Sequence, residues 1–171
     1  ADTEEFKSKF SITIRSLVAL KKMKHTKIGL VGGISPGFDN MEVDQSKIKK
    51  NLGITIEEST IKDLIKIAKG FDQKTIDSEI LKIKSAASSI SVSNEDSFNK
   101  VTRVYFALKK MKEDNNWDSL AVQCWSQFQN LYGIAPCMAY SWMGSEDGVA
   151  VSCEGDVQGS MSMLLLNYIS N

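Results

Sequence analysis

The chain has 171 residues, of which 42% are hydrophobic and 25% charged, with 21 basic residues balanced by 21 acidic ones. This length and composition are typical of one globular domain or two small ones, and they exclude a fibrous or disordered protein. The formal net charge of zero provides no general attraction to phosphate backbones or anionic lipids. We therefore expect no nucleic-acid partner and no membrane partner.

The ends of the chain and its cysteines bear on its cellular location. The apolar run from Met161 to Ile169 is far shorter than the roughly 20 residues that cross a bilayer, and the charged N-terminus lacks the apolar core of a secretory signal. Cys124, Cys137 and Cys153 are odd in number and have apolar or aromatic neighbours, which favours buried free thiols and a cytoplasmic protein. Because there is no CxxC pair and His25 is the only histidine, a zinc site of histidine and cysteine is not expected.

Helices and strands alternate along the first part of the chain. Apolar residues at helical spacing predict an amphipathic helix from Glu4 to Lys24 that needs a sheet or another helix to cover it. Lys27 to Val31 is typical of a short buried strand, and a glycine-rich loop, Gly32 to Phe38, follows. This loop suits a plain turn as well as a small-ligand or interface loop, but it matches no nucleotide-binding motif. The remaining elements predicted here are helices at Gln45–Leu52, Ile61–Ala68 and Gln73–Ser89, a helix capped by Asn94 or Ser93 that reaches Met111, and a strand at Ile54–Glu58.

The second part of the chain continues the same alternation. The elements predicted here are strands at Ser119–Trp125 and Val149–Cys153, a short helix at Ser126–Tyr132, a helix from about Cys137 that is broken by Gly144 and Gly148, and a final helix capped by Asp156. Alternating strands and helices favour parallel pairing. The predicted fold class is therefore α/β, with Rossmann-like βαβ layers and helices on both faces of a parallel sheet.

Two acidic residues follow the last predicted strand. Glu154 should project at the carboxyl edge of the sheet, where α/β proteins place ligands, and Asp156 lies beside the positive end of the next helix. Two carboxylates suit a hard divalent cation such as Mn²⁺ or Mg²⁺, which could polarise a substrate oxygen. The structural alternative is that Asp156 is only an N-cap and that Glu154 pairs with a lysine.

Amide and aromatic side chains accompany the carboxylates. Gln127 and Gln129 lie on the short helix, and amides can orient hydroxyl groups but cannot take up a proton at neutral pH. Together with Trp125 and Trp142 as walls, these residues suggest a sugar or polyol pocket that binds a metal ion. The alternative is that both tryptophans belong to the hydrophobic core.

Several short motifs carry a family resemblance. The segment FQNLYGI, from Phe128 to Ile134, followed by Glu154-Gly155-Asp156, resembles the L-fucose/L-arabinose isomerase superfamily. The segments AVQCW, GIAPC and SCEGDV are most similar to its fucose-isomerase-like branch, and KIGLVGGISPGF extends the resemblance over most of the chain.

The resemblance implies aldose–ketose isomerisation of a sugar through a metal-bound enediol, with Mn²⁺ or another divalent cation, in a homo-oligomer. In arabinose isomerases the positions matching Gln129 and Glu154 are glutamates that act as acid/base and metal ligand. Gln129 removes one of these carboxylates, so Asp156 is left to supply the second. The resemblance thus assigns catalysis to Glu154, Asp156 and Gln129, and metal binding to Glu154 and Asp156.

Such enzymes also take a histidine ligand from a later domain, and their chains are usually more than twice this length. We therefore expect a fragment that is inactive alone, with residues 1–133 as a central α/β domain and residues 134–171 as the start of a catalytic C-terminal domain. One alternative is a non-catalytic carbohydrate-binding or regulatory relative. Another is a lyase or epimerase that uses the same metal-enediolate intermediate.

Overall fold

A sheet of four parallel strands lies at the centre of the molecule. The computed structural model describes residues 3–91 and 94–170. The strand order is β2-β1-β3-β4, in which β1 pairs with both β2 and β3, and β4 pairs with β3. The strands are β1 (Lys27–Val31), β2 (Thr55–Ser59), β3 (Ser119–Val122) and β4 (Val151–Ser152). The predicted parallel α/β fold is confirmed.

Helices occupy most of the remaining described residues. They are α1 (Glu4–Met23), α2 (Gln45–Leu52), α3 (Ile61–Lys69), α4 (Gln73–Ala86), α5 (Glu95–Asn115), α6 (Gln127–Tyr132), α7 (Cys137–Asp147) and α8 (Val157–Ser170), with a short 3₁₀ turn at Asp39–Met41. No helix in the described ranges is long and apolar enough to cross a membrane.

The helices cover both faces of the sheet, because side chains alternate along each strand. In β3, Leu120 and Val122 join the core formed with α3, α5, α6 and α7. Ala121, between them, joins the smaller core formed with α1 and α8. The sheet is therefore buried on both faces, as is usual for a parallel sheet.

Side-chain caps set the beginnings of several helices. Thr60 and Asp72 each accept a hydrogen bond from a backbone N–H in the first turn of the helix that follows. Of the two predicted caps for α5, Asn94 accepts a hydrogen bond from the Asp96 N–H, and Ser93 lies outside the described residues. The positive φ of 78° at Gly53 ends α2 as predicted.

Some predicted boundaries are wrong. Strand β4 is two residues long instead of five, since it lies at the sheet edge and pairs only with β3. Strand β3 ends at Val122, although the next N–H, that of Gln123, still donates to the Val31 carbonyl at 2.9 Å. Helix α4 ends at Ala86, and α7 runs through Gly144, because one glycine costs a helix only about 1 kcal/mol.

Trp117, just before β3, packs across the neighbouring strand β1. A Cβ atom on Gly29 of β1 would overlap its ring, so the missing side chain makes room for the indole. The indole Nε1 donates to Glu57 Oε2 at 2.8 Å, and the Lys27 ammonium lies 2.9 Å from Glu57 Oε1. Because Gly29 is the register partner of Glu57, these contacts tie three strands together at one level of the sheet.

Helix α1 is covered only at its C-terminal end, where Ala19 and Met23 are buried. The expectation that its apolar stripe is covered by another element is wrong for the described residues. Seven large apolar side chains of α1 are exposed: Phe6, Phe10, Ile12, Ile14, Leu17, Val18 and Leu20.

Residues 134–170 belong to the same sheet architecture as the rest. They contribute α7, β4 and α8, and β4 is hydrogen-bonded to β3. The assignment of 134–171 to the start of a further catalytic domain stays a prediction.

Candidate functional site

Loops from three strands meet at the carboxyl edge of the sheet. The Ser35 N–H, after β1, donates to the Glu154 carbonyl at 3.0 Å, after β4. The Gln123 amide, after β3, donates to the Ile34 carbonyl at 3.0 Å. We call this meeting point of residues 32–35, 123–127 and 153–156 the strand-end site.

The backbone at the strand-end site is tightly packed. Gly155 has a φ of 75°, and a Cβ atom there would collide with the Gly33 carbonyl. Glu154 has a φ of 60°, which few residues other than glycine, asparagine and aspartate adopt. This backbone conformation presses the turn after β4 against the loop after β1.

Several buried oxygen atoms at this site lack hydrogen-bond partners. Ser35 Oγ, Gln123 Oε1 and Glu154 Oε2 are buried and have no partner among the described residues. Ser35 is 1% exposed and Gln123 is 2% exposed. Because burying an unpaired polar atom is costly, such a concentration indicates a place where a polar ligand or a cation supplies the missing contacts.

The Glu154 side chain is directed toward the cysteines. Its Oε1 accepts a hydrogen bond from Cys124 Sγ at 3.0 Å, and the described residues place no lysine or arginine in an ion pair with it. The described residues therefore do not show the ion pair between Glu154 and a lysine that the sequence offered as an alternative. The unpartnered Oε2 remains as its free oxygen.

Asp156 caps helix α8. Its Oδ1 accepts the Gly159 N–H at 2.8 Å, and its carbonyl accepts the Ser152 hydroxyl at 2.6 Å. This helix-capping role is the one that the sequence offered as the alternative to metal binding by Asp156. The cap bond engages one carboxylate oxygen, so Asp156 retains the other for a ligand.

Some oxygen atoms at this site are of the kind that bind a hard cation such as Mg²⁺ or Mn²⁺. Glu154 and Asp156 offer carboxylate oxygens, and Gln123 adds an unpartnered amide oxygen. In residues 3–91 and 94–170, however, the group of three or more close histidine, cysteine or acidic ligand atoms is formed by cysteines. A hard-metal site shared by Glu154 and Asp156 therefore stays a prediction.

The two glutamines of α6 point in different directions. Gln127 Nε2 donates to the Gly32 carbonyl at 3.3 Å, which brings this side chain to the strand-end site. In the amide orientation that satisfies its neighbours, Gln129 donates to the carbonyls of Cys124 at 2.9 Å and Ser126 at 3.2 Å. Gln129 therefore holds the turn before its own helix, and its predicted catalytic role stays a prediction.

The two tryptophans do not share one environment. Trp125 follows β3, is 55% exposed, and is joined to Ser126 by a cis peptide bond. Trp142 packs against the larger core, and its Nε1 donates to Glu79 Oε1 in α4 at 2.8 Å. Trp125 thus belongs to the strand-end site, whereas the contacts of Trp142 are those of a core residue.

The three cysteines converge, which their spacing in the sequence does not reveal. Their Sγ atoms all lie within 4.8 Å of one another, and those of Cys124 and Cys153 are 3.1 Å apart. All three are free, as predicted, but the predicted burial is wrong for Cys137, which is exposed, and Cys153 is only partly buried. Burial, and then the hydrogen bond with Glu154, raises the pKa of Cys124, and burial also raises the pKa of Cys153. The available sequence signal was that Cys124 and Cys153 both lie near the C-terminal ends of predicted strands.

The α/β fold and the polar strand-end site are compatible with a sugar enzyme, and comparison with known proteins supports that class. No family model matches the chain. The chain is similar to sulfoquinovose isomerase from Priestia aryabhattai, with 29% identity over 157 residues that cover 92% of this chain and 35% of that protein. The corresponding protein of Alkalicoccus urumqiensis is 25% identical over 158 residues, covering 91% of this chain and 35% of its own.

The chain spans about a third of the length of these curated relatives, since it covers 35% of each. The predicted resemblance to sugar isomerases is supported in this general form. The fucose-isomerase-like branch stays a prediction.

Proposed function

We propose that this protein is a metal-dependent sugar isomerase that interconverts an aldose and a ketose by the mechanism of L-fucose and L-arabinose isomerases. The similarity to sulfoquinovose isomerases, which extends over 92% of the chain, carries this proposal. The unpartnered buried oxygens of the strand-end site support it, because a polyhydroxylated ligand could satisfy them. The names of these relatives make sulfoquinovose the first aldose to test.

Glu154 is the residue that we assign to proton transfer. Its Oε2 is buried, free of partners and directly after a strand, so it can take a proton from C2 of the open-chain aldose and return it to C1. The hydrogen bond from Cys124 to Oε1 holds the carboxylate in place while Oε2 acts. Gln127, near Gly32, is placed to orient a substrate hydroxyl.

Glu154 and Asp156 would hold the divalent cation, Mn²⁺ or Mg²⁺, together with ligands beyond those described. When bound, such a cation polarises the substrate carbonyl and hydroxyl oxygens. Trp125, exposed beside the site, would form a wall against the apolar face of the sugar. We further propose that the protein acts as a cytoplasmic homo-oligomer.

The proposal is tested with the natural protein, Mn²⁺ and sulfoquinovose, with interconversion followed by NMR. Glu154→Gln should lower kcat by about 10²–10⁴-fold, the usual contribution of a general acid or base. Glu146→Gln, which changes an exposed carboxylate on α7, is the matched control and should retain activity. Full activity of Glu154→Gln would show that this carboxylate is not the acid/base.

A non-catalytic sugar-binding relative is the second candidate. The observation that favours it is that amides occupy positions 127 and 129 and that Asp156 already serves as a helix cap. Such a protein would bind the sugar without metal and without turnover. Isothermal titration calorimetry of sulfoquinovose with and without Mn²⁺ separates the two functions.

A further inference from the structure

The feature behind this inference is the convergence of every cysteine of the chain on one point. Cys124 follows β3, Cys153 follows β4, and Cys137 is the first residue of α7. The neighbouring positions of β3 and β4 in the sheet bring the first two together. Helix α7 then brings the third within 4.8 Å of both.

The distances match what a metal ion with thiolate ligands requires. Zn²⁺–S bonds of about 2.3 Å in a tetrahedral site place the sulfur atoms about 3.8 Å apart. The three sulfurs lie within 4.8 Å of one another, and the Cys124–Cys153 pair is 3.1 Å apart. Binding would therefore need that pair to separate by about 0.7 Å, a change that side-chain rotation can supply.

A fourth ligand is already in contact with the group. Glu154 Oε1 lies 3.0 Å from Cys124 Sγ, and the other oxygen of the same carboxylate is buried without a partner. A cation is the partner that such a carboxylate needs. Three sulfur atoms select Zn²⁺ or Cu⁺ over Mg²⁺ or Mn²⁺, because soft ligands prefer soft or borderline metals.

We propose that Cys124, Cys137 and Cys153 form a three-thiolate site that binds one Zn²⁺ ion, with Glu154 Oε1 as the fourth ligand. On binding, each thiol gives its proton to solvent and no redox partner is involved. The site shares Glu154 with the proposed sugar-binding metal site, but its three thiolates select a different metal, and Zn²⁺ binding is measured without sugar or Mn²⁺. It does not depend on isomerase activity.

Metal titration of the reduced, metal-free protein tests the site. Co²⁺, used as a spectroscopic probe, should give the intense near-ultraviolet absorption of thiolate coordination, and one equivalent of Zn²⁺ should abolish it. Zn²⁺ should also protect all three thiols from Ellman's reagent. A titration without thiolate absorption, or with thiols that react equally fast in the presence of Zn²⁺, would overturn the proposal.

Cys137→Ser is the informative variant, because Cys137 is exposed and its replacement leaves the core intact. Loss of a ligand should weaken Zn²⁺ binding at least about tenfold, since even the outer-shell partners of a metal contribute 10–100-fold. Ser141→Ala, at an exposed position of the same helix, should bind as the wild type does. Unchanged Zn²⁺ affinity in Cys137→Ser would overturn the site, as would rapid oxidation to a Cys124–Cys153 disulfide that equimolar Zn²⁺ does not prevent.

Discussion

At the scale of single residues, Gly155 combines two separate constraints. Its φ of 75° is unfavourable for residues with a side chain, and a Cβ atom would also collide with the Gly33 carbonyl. The second constraint matters for function, because this close approach presses the loop after β1 against Glu154. Backbone conformation at one position thus helps to place the proposed acid/base.

Gly155→Ala should destabilise the protein by more than the roughly 1–2 kcal/mol that left-handed backbone costs a residue with a side chain. Gly148→Ala is the matched control, since Gly148 has a φ of 64° and nothing near its Cβ position. Urea denaturation of both variants measures the difference. Equal losses of stability would mean that the contact with Gly33 contributes nothing.

At the same scale, the sequence could not predict how the short helix α6 is rotated about its axis, and hence which of its side chains face the strand-end site. Adjacent helical residues differ by about 100° in direction, so a shift of two positions moves a side chain to another face. The sequence predicted both Gln127 and Gln129 as site residues; in the structure Gln127 donates to the Gly32 carbonyl, whereas Gln129 donates to carbonyls of the turn before its own helix. Helix α6 has six residues, too few for an apolar pattern to fix its rotation.

At the scale of elements, the sequence predicted the helices and strands well and their ends less well. Apolar periodicity marks most of the helices, and caps such as Thr60 mark the beginnings of several, because these signals are local. The extents of β3 and β4 depend on which strand lies beside them, and this is not a local property. For the same reason the meeting of Cys124 with Cys153 could not be read from their spacing.

The Glu57 carboxylate links strands β1 and β2 to Trp117, and its contacts make stability depend on pH. Hydrogen bonds from Lys27 and then Trp117 lower the pKa of Glu57. A lowered folded-state pKa stabilises the fold above the unfolded-state pKa of about 4.3, and that stabilisation is lost as the pH falls through the folded-state value.

Glu57→Gln should therefore lower the melting temperature at pH 7, and the difference from the wild type should narrow by pH 3. Thermal unfolding followed by circular dichroism at both pH values measures this. Glu42→Gln, at an exposed carboxylate, serves as the control and should show a smaller change at pH 7. A difference that does not vary with pH would argue against an ionic contribution from Glu57.

At the scale of the whole molecule, α1 is the element least explained by the fold. An apolar stripe this long, on a helix buried only at Ala19 and Met23, is typical of a surface that associates with other protein. The sequence pattern predicted that the stripe needs cover, but pattern alone does not say what provides it.

We expect the chain to self-associate through α1. In sedimentation velocity, the double variant Phe10→Ser/Leu17→Ser should shift toward the monomer relative to the wild type, because it removes two of the exposed apolar side chains. Leu81→Ser, at an apolar residue of α4 that is 66% exposed, should associate as the wild type does. A wild-type chain that stays monomeric at high concentration would contradict this expectation.

The packing of Trp117 over Gly29 has a consequence for how such chains diverge. The indole occupies the volume that a side chain at position 29 would need, so the two positions share one fixed space. A residue larger than glycine at position 29 is tolerated only with a residue smaller than tryptophan at position 117. Replacing Trp117 also removes the indole N–H that donates to Glu57. Among homologues, residue sizes at these two positions should vary inversely, and loss of the tryptophan should accompany replacement of the glutamate.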